Sequence, residues 1–464
     1  MPKIFYLMNL SVYFREFSYN IRLAYPIIVA MLGHTLVGVI DNIMVGRIGA
    51  TELAAASLAN SFVFIALATG VGFSTAITPL IATTDAERND KEGQRIFLNG
   101  LIMCAFLGII LFSVLFSLKP LINVMEQPEE VTRMAKPFLD IVGFSLVPAI
   151  AFQGLKQFSD GKSFTRYSMY ATLIANIFNV IFNYCLIYGV WFFPEMGYMG
   201  VAYGTLLSRI IMLIYLYFAL KSNVALSPFI NRLTLKDFSW EKCKDIFKIG
   251  VPSGMQSLFE VGLFTGAVWL TGMIGTAAQA ANQIALSMAS LVFMFVSGLS
   301  VAAMIRVGNQ VGLKDYKKMK IVAGSIMLMS VILNAFFAIL FFIFHKQIPL
   351  LFINADHELQ GDLSAEVIHI AGKLIIIAGL FQISDGIQVT ILGSLRGLRD
   401  VTIPMILTFV SYWLVGYSIC IYLGLYTDLG AIGIWLGLLA GLTVAAIALY
   451  YRFQYMSNRL IQNT

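Results

Sequence analysis

The sequence predicts an all-α polytopic membrane protein: twelve transmembrane helices in two six-helix lobes, built as a parallel internal repeat, with both termini cytoplasmic. Three observations carry that prediction. Of 464 residues, 59% are hydrophobic and 12% charged, about half of the roughly 25% charged residues usual in soluble domains. Apolar segments of about the 20 residues that a bilayer crossing requires recur twelve times along the chain. Alternate loops divide the Lys and Arg residues 24 to 6, with Arg209 inside a span.

In chain order the apolar segments fall near 23–46, 53–83, 96–118, 134–155, 166–190 and 198–220. Six more follow near 246–272, 278–308, 320–344, 366–394, 402–424 and 430–452. The basic-rich side receives Lys3, Arg15 and Arg22, the 84–95 loop, Lys156, Lys162 and Arg166, the 221–248 loop with Arg232, the 306–320 stretch, Arg396, Arg399, Arg452 and Arg459. Lys and Arg concentrate on cytoplasmic loops, so both termini are expected in the cytoplasm.

The long basic loop at 221–248 divides the chain into an N-lobe, 1–235, and a C-lobe, 236–464. Sliding residues 26–74 onto 252–300 pairs Pro26 with Pro252, Gly46 and Gly49 with Gly272 and Gly275, and Gly72 with Gly298. GYMGVAYG (197–204) likewise matches GAIGIWLG (430–437). With six spans per half the repeats share one orientation, a pattern found in transporters with sites near the bilayer midplane.

Composition also excludes. The net charge of +6 follows the loop topology rather than forming a nucleic-acid footprint. Cys104, Cys185, Cys243 and Cys420 are scattered and form no CxxC pair. No short N-terminal apolar segment ends in a small-residue cleavage site, so no removable signal peptide is expected. The chain has no soluble stretch long enough for a separate catalytic domain. Gly161-Lys162-Ser163 ends like a P-loop, but Lys156 stands where the first glycine is required. ATP use is therefore not expected, and the four histidines (His34, His345, His357, His369) form no metal or catalytic set.

Candidate chemistry rests on three acids within spans: Asp41, Glu260 and Asp385. Insertion scales put an acid at a helix centre at a cost of about 2.5–3.5 kcal/mol, so one retained there usually has a task. Each has polar company on its own helix face. His34 precedes Asp41 by two turns, Gln256 precedes Glu260 by one, and Gln382 and Gln388 flank Asp385 at three residues. Asn176, Asn179 and Asn183 form a polar stripe at i, i+3, i+7 in the fifth span. Such acids can hold a proton or Na⁺, which hard oxygen ligands suit, and competition with a substrate would couple the two fluxes. The plainer reading treats each Asn or Gln as interhelical hydrogen-bond glue, His34 as a packed side chain and Asp140 as a structural pair. Arg209 is the one Lys or Arg read at mid-span and so the one cation available to neutralise such an acid; the sequence leaves open whether it pairs a carboxylate.

Taken together, these features resemble the multidrug and toxic compound extrusion (MATE) family, most closely its NorM-like branch, over about residues 20–455. The motifs are IDNIMVGRIG (40–49), PSGMQSLFE (252–260), AANQ (280–283) and the Asp385 span followed by LRGLRD (395–400). The resemblance implies antiport of amphipathic, often cationic small molecules against Na⁺ or H⁺, in a bacterial cytoplasmic membrane, by rocking of two lobes. It implies no other cofactor, no nucleic-acid partner, contact with membrane lipid, and no enzymatic activity. It also implies an N-lobe ion site at Asp41 with Asn179, Asn183, Thr205 and the carbonyl of Val201. In the C-lobe it implies a site at Glu260 and Asp385, with Gln283 as a polar neighbour.

Two departures matter. Asn183 stands where some relatives carry an acid, and Asn282 stands where the family commonly has His. Aromatic and Met side chains would give a cavity of loose selectivity. The rival readings are a flippase for lipid-linked or polysaccharide precursors, which would need several cavity cations for pyrophosphate, a polytopic membrane enzyme, and a channel.

Overall fold

The computed structural model describes residues 10–125, 127–191, 193–231, 234–352 and 361–463. Lys3, Arg232 and His357, named above, lie outside these. Among the described residues are twelve helices long and apolar enough to cross a membrane. They are α1 (Ser11–Gly46), α2 (Ala50–Ala86), α3 (Asp90–Val124), α4 (Glu129–Gly161), α5 (Thr165–Tyr188) and α6 (Met199–Ser222). Then come α7 (Trp240–Ile274), α8 (Thr276–Gly312), α9 (Tyr316–Phe344), α10 (Ser364–Gly397), α11 (Thr402–Leu425) and α12 (Ala431–Gln462). Each contains or overlaps one apolar segment read from the sequence. Several run past it, because backbone hydrogen bonding continues where hydropathy stops. Arg306, Arg396 and Arg452, counted with the loops above, are therefore helical residues.

The repeat extends to backbone detail. Arg88 and Lys314, both left-handed at φ 54° and 56°, precede α3 and α9. The next residue caps the helix in each case: Asn89 accepts from the Glu92 amide at 3.2 Å, and Asp315 from the Lys318 amide at 3.0 Å. These side-chain acceptors satisfy one of the orphan donors of a helix start. Gly197 and Gly430 (φ 55° and 53°) turn the chain into α6 and α12, a conformation glycine adopts without a Cβ penalty.

The chain forms two compact units, Met1–Ile28 with Phe259–Thr464, and Val29–Leu258. These divisions fall inside α1 and α7 rather than at 235/236. Small residues explain why. A Cβ on Gly298 of α8 would sit 2.3 Å from Ile28, and one on Gly72 of α2 would sit 2.8 Å from the Ser253 carbonyl. In each repeat the second helix therefore packs on the leading half-helix of the other repeat. Ion pairs hold the same two half-helices, α1 to α8 and α7 to α3. Arg306 donates to Glu16 at 2.7 Å and Asn20 at 2.6 Å, and Lys242 pairs with Glu92.

Within the first unit a core around Trp435, Tyr412 and Phe381 ties α7, α8, α10, α11 and α12 together. The second unit has its own core, with Val45, Phe138, Ile187 and Val201. The middle of α11, Val410–Tyr417, is π-helical, a local widening often found at functional positions. Its Trp413 and Tyr417 rings lie against Gly262 and Gly266 of α7, where a Cβ would come within 2.8 and 2.6 Å of them.

Candidate functional site

Each unit holds one polar centre. In Val29–Leu258 the centre is a chain of hydrogen bonds running from α1 through α5 to α6. Asn183 Nδ2 donates to Asp41 at 2.6 Å and lies 3.3 Å from Asn179 Oδ1. Asn179 Nδ2 reaches Ser208 Oγ at 3.5 Å, and the Ser208 hydroxyl donates to the Thr205 carbonyl at 2.9 Å. Asn179 and Asn183 are buried, while Asp41 and Thr205 are half-buried. Gly204 makes room for this arrangement: a Cβ there would stand 1.9 Å from Asn183 Oδ1.

Arg209 belongs to this centre. Its Nη1 donates to Ser145 Oγ at 2.6 Å, at the break of α4, and its charge acts on both Asp41 and His34. Arg209 thus lies within electrostatic range of the Asp41 carboxylate. Asn176 stands apart from the Asp41 chain, packed where a Cβ on Gly33 would come within 2.9 Å of it. The Val201 side chain is part of the apolar core.

In the unit that includes Phe259–Thr464, the centre lies among α7, α10 and α11. Asp385 is 2% exposed, and Glu260, half-buried, lies within electrostatic range of it. Arg396, three turns beyond Asp385 on α10, acts on Glu260. The reading that only Arg209 could neutralise an intramembrane acid is corrected here: α10 continues through Gly397 and carries Arg396 inward. The Tyr412 phenol faces both acids and lies beside Gln388. Gln388 and the Tyr412 hydroxyl are buried without a well-formed hydrogen bond, as are the side-chain oxygens of Gln382 and Asn334. Gln382 Nε2 donates to the Ala289 carbonyl at 3.0 Å. Asn334 of α9 fits against Gly386, where a Cβ would be 2.0 Å from its amide nitrogen.

Other sequence candidates separate from these centres. Gln283 is exposed and its carbonyl accepts from Ser287 at 2.8 Å. Gln256, by contrast, is buried one turn before Glu260 on α7. Asn282, in the place of the family's histidine, accepts from the Trp435 indole at 2.9 Å. Asp140 pairs with Lys119 at 2.6 Å. Lys162, of the P-loop-like tripeptide, is held by Asp85 at 2.7 Å and lies over the Phe229 ring.

Sequence reasoning missed Arg396, Tyr412 and Ser208. Only the first left a trace. Residues 385, 388, 392 and 396 fall on one face of a helix at 100° per residue, so Arg396 was legible from Asp385 once α10 was extended.

Two buried polar centres, each setting carboxylate against arginine within a six-plus-six helical repeat, define a polytopic membrane transporter. Among the described residues no group of three or more metal-ligating side chains accompanies them. The MatE family model matches residues 26–185 and 252–422, and the chain belongs to that family, the MATE transporters. It is 32% identical over 445 residues to the probable multidrug resistance protein NorM of Rhizobium meliloti, covering 96% of this chain and 94% of that protein. It is 31% identical to the multidrug resistance protein NorM of Vibrio cholerae, covering 96% and 97%. The crystal structure of a eukaryotic MATE transporter superposes with a TM-score of 0.86 at 18% identity, over 97% of this chain and 99% of that one.

Proposed function

We propose that this transporter exports amphipathic, often cationic compounds in exchange for an inward-moving cation, with Glu260 and Asp385 carrying the coupling ion. Both termini would face the cytoplasm, and the cycle would proceed by alternating access. The names of its NorM relatives support the drug-export part of this reading.

One observation carries the coupling part: the buried Asp385 and the half-buried Glu260 lie within electrostatic range of each other, and the one cation set against them, Arg396, acts on Glu260. In a low-dielectric interior an unbalanced charge is costly, so the ionised pair has a vacancy of one positive charge. A proton or a Na⁺ fills it. Na⁺ fits the surroundings better, because the orphaned oxygens of Gln388, Gln382, Asn334 and Tyr412 are the hard ligands that Na⁺ takes. Release of that ion would restore the vacancy and make the centre ready for a cationic substrate. The Asp41 centre is different, since Arg209 already balances its only acid.

The flippase alternative finds no comparable support. Arg209 and Arg396 both face carboxylates, which leaves neither well placed to hold a pyrophosphate.

The test is transport of a fluorescent lipophilic cation by purified protein in proteoliposomes. A Na⁺ gradient at constant pH is compared with a pH gradient in Na⁺-free buffer. Drive by the Na⁺ gradient that disappears in Asp385→Asn is the expected result. Drive by protons alone would assign the same vacancy to H⁺. Transport insensitive to both gradients would refute cation coupling.

A further inference from the structure

We propose that an anionic glycerophospholipid binds in a crevice bounded by α1, α9, α10 and α12, its phosphate at Lys320 and one acyl chain along α9. The crevice has a volume of about 370 Å³, within the roughly 300–1,000 Å³ range of ligand clefts. Its lining changes character along its length. Lys320, Tyr13, Tyr450 and Gln454 make a polar mouth, whereas Met327, Leu328 and Val331 make an apolar trough. From Lys320 to Val331 is eleven residues of helix, about 16 Å at 1.5 Å per residue, which suits a headgroup followed by the upper part of an acyl chain.

Several features build this site rather than leave it as a gap. Gly324 admits the Tyr13 ring, since a Cβ there would meet it at 2.8 Å. The Tyr13 carbonyl accepts from Ser325 at 2.8 Å, fixing α1 against α9. Lys320 is half-buried and oriented by Asn458, to which its ammonium donates at 2.8 Å. The floor (Ala323, Ile391, Ser394, Phe453) is buried, while Tyr450 at the mouth is 37% exposed.

Charge selects the occupant. The lining contains one cation and no acid, and the exposed Lys317 and Lys318 lie within one turn of Lys320. Tyr450, Tyr451 and Tyr455 are exposed beside it, the aromatic signature of the headgroup level. Basic pockets between helices at the cytoplasmic face are known sites for acidic headgroups. An apolar chain beside a single buried-side ammonium therefore fits a lipid anion better than a zwitterion or a free phosphate. Ile391 and Ser394 place the occupant against α10, less than three turns from Asp385.

Native mass spectrometry of the full-length protein in detergent micelles tests this, with dioleoylphosphatidylglycerol and dioleoylphosphatidylcholine titrated separately. One phosphatidylglycerol should be retained with a preference of about fivefold over phosphatidylcholine, the amount one lysine supplies near a membrane surface. Lys320→Gln should abolish the preference, and Val331→Phe should weaken both lipids by filling the trough. Equal binding of the two lipids to the parent protein would overturn the proposal. So would a preference unchanged in Lys320→Gln, or displacement of the lipid by equimolar glycerol phosphate. Should Lys320→Gln not survive purification, retention of phosphatidylglycerol at the parental level by Val331→Phe would equally overturn it.

Discussion

The two polar centres are built on one backbone repeat and do not repeat each other's chemistry. At the register that superposes Pro26 on Pro252, Glu260 falls opposite His34, and Asp41 falls opposite Ala267. The Asp41 centre is a hydrogen-bonded chain with one acid and one arginine. The Glu260–Asp385 centre has two acids, one arginine and several oxygens lacking donors. The scaffold demands equivalent caps, turns and helix contacts, and these are duplicated. Charge balance is a local matter, and it differs. One centre sets one acid against one arginine, although Asn183 Oδ1 lacks a donor there too, while the other is short of one cation.

The largest effect is expected at the incomplete centre. Asp385→Asn should reduce gradient-driven transport by about 100-fold, near the upper end of ordinary coupling energies, while insertion and folding stay normal. Glu260→Gln should cost about tenfold and lower the apparent affinity for the coupling ion; a transport assay at graded Na⁺ reads both. Parental transport in both variants would remove the distinction between the centres.

At the balanced centre the dominant effect should be on stability. Asp41→Asn replaces the charged acceptor of the Asn183 amide with a neutral one and removes the carboxylate that acts on Arg209; a hydrogen bond to a charged group is worth about 1.5–3 kcal/mol. Thermal unfolding in detergent should show it, and the double variant Asp41→Asn/Arg209→Gln should recover part of the loss. If the double variant is less stable than the single one, Arg209 is not the partner of Asp41. The smallest effects sharpen the comparison. Gly204→Ala pushes on Asn183 and Gly386→Ala on Asn334, and overpacking of this kind costs about 1–3 kcal/mol. The former should disturb stability more than coupling, the latter coupling more than stability.

Much of this was legible in the sequence, and for identifiable reasons. Twelve apolar runs, the 226-residue offset and three intramembrane acids are local signals. They led directly to the spans and the repeat, while the resemblance to the MATE family implied the grouping of Asp41 with the α5 asparagines. Arg396 was hidden because hydropathy ends before α10 does. Tyr412 lies in the π-helical turn of α11, for which 410–417 carries no periodic signal. Asn282 and Lys162, conspicuous as motif residues, proved to be held by Trp435 and by Asp85. No spacing rule reveals such long-range partners. The compact units were least legible, since close packing at Gly72 and Gly298 depends on tertiary contacts made by α7 and α1.

The packing of α1 has a consequence in time. Asn20 donates to Ser325 across 305 residues, and Ala24 and Ile28 have their neighbours at Gly298. At about 5–20 residues per second of synthesis, the leading half of α1 leaves the ribosome roughly 15–60 s before those partners exist. It therefore waits, its polar Asn20 and Glu16 unmatched, until α8 and α9 arrive. Assembly of one unit is gated by translation of nearly the whole message, and a nascent chain stalled at the loop between α6 and α7 would expose this half-helix to quality-control proteases.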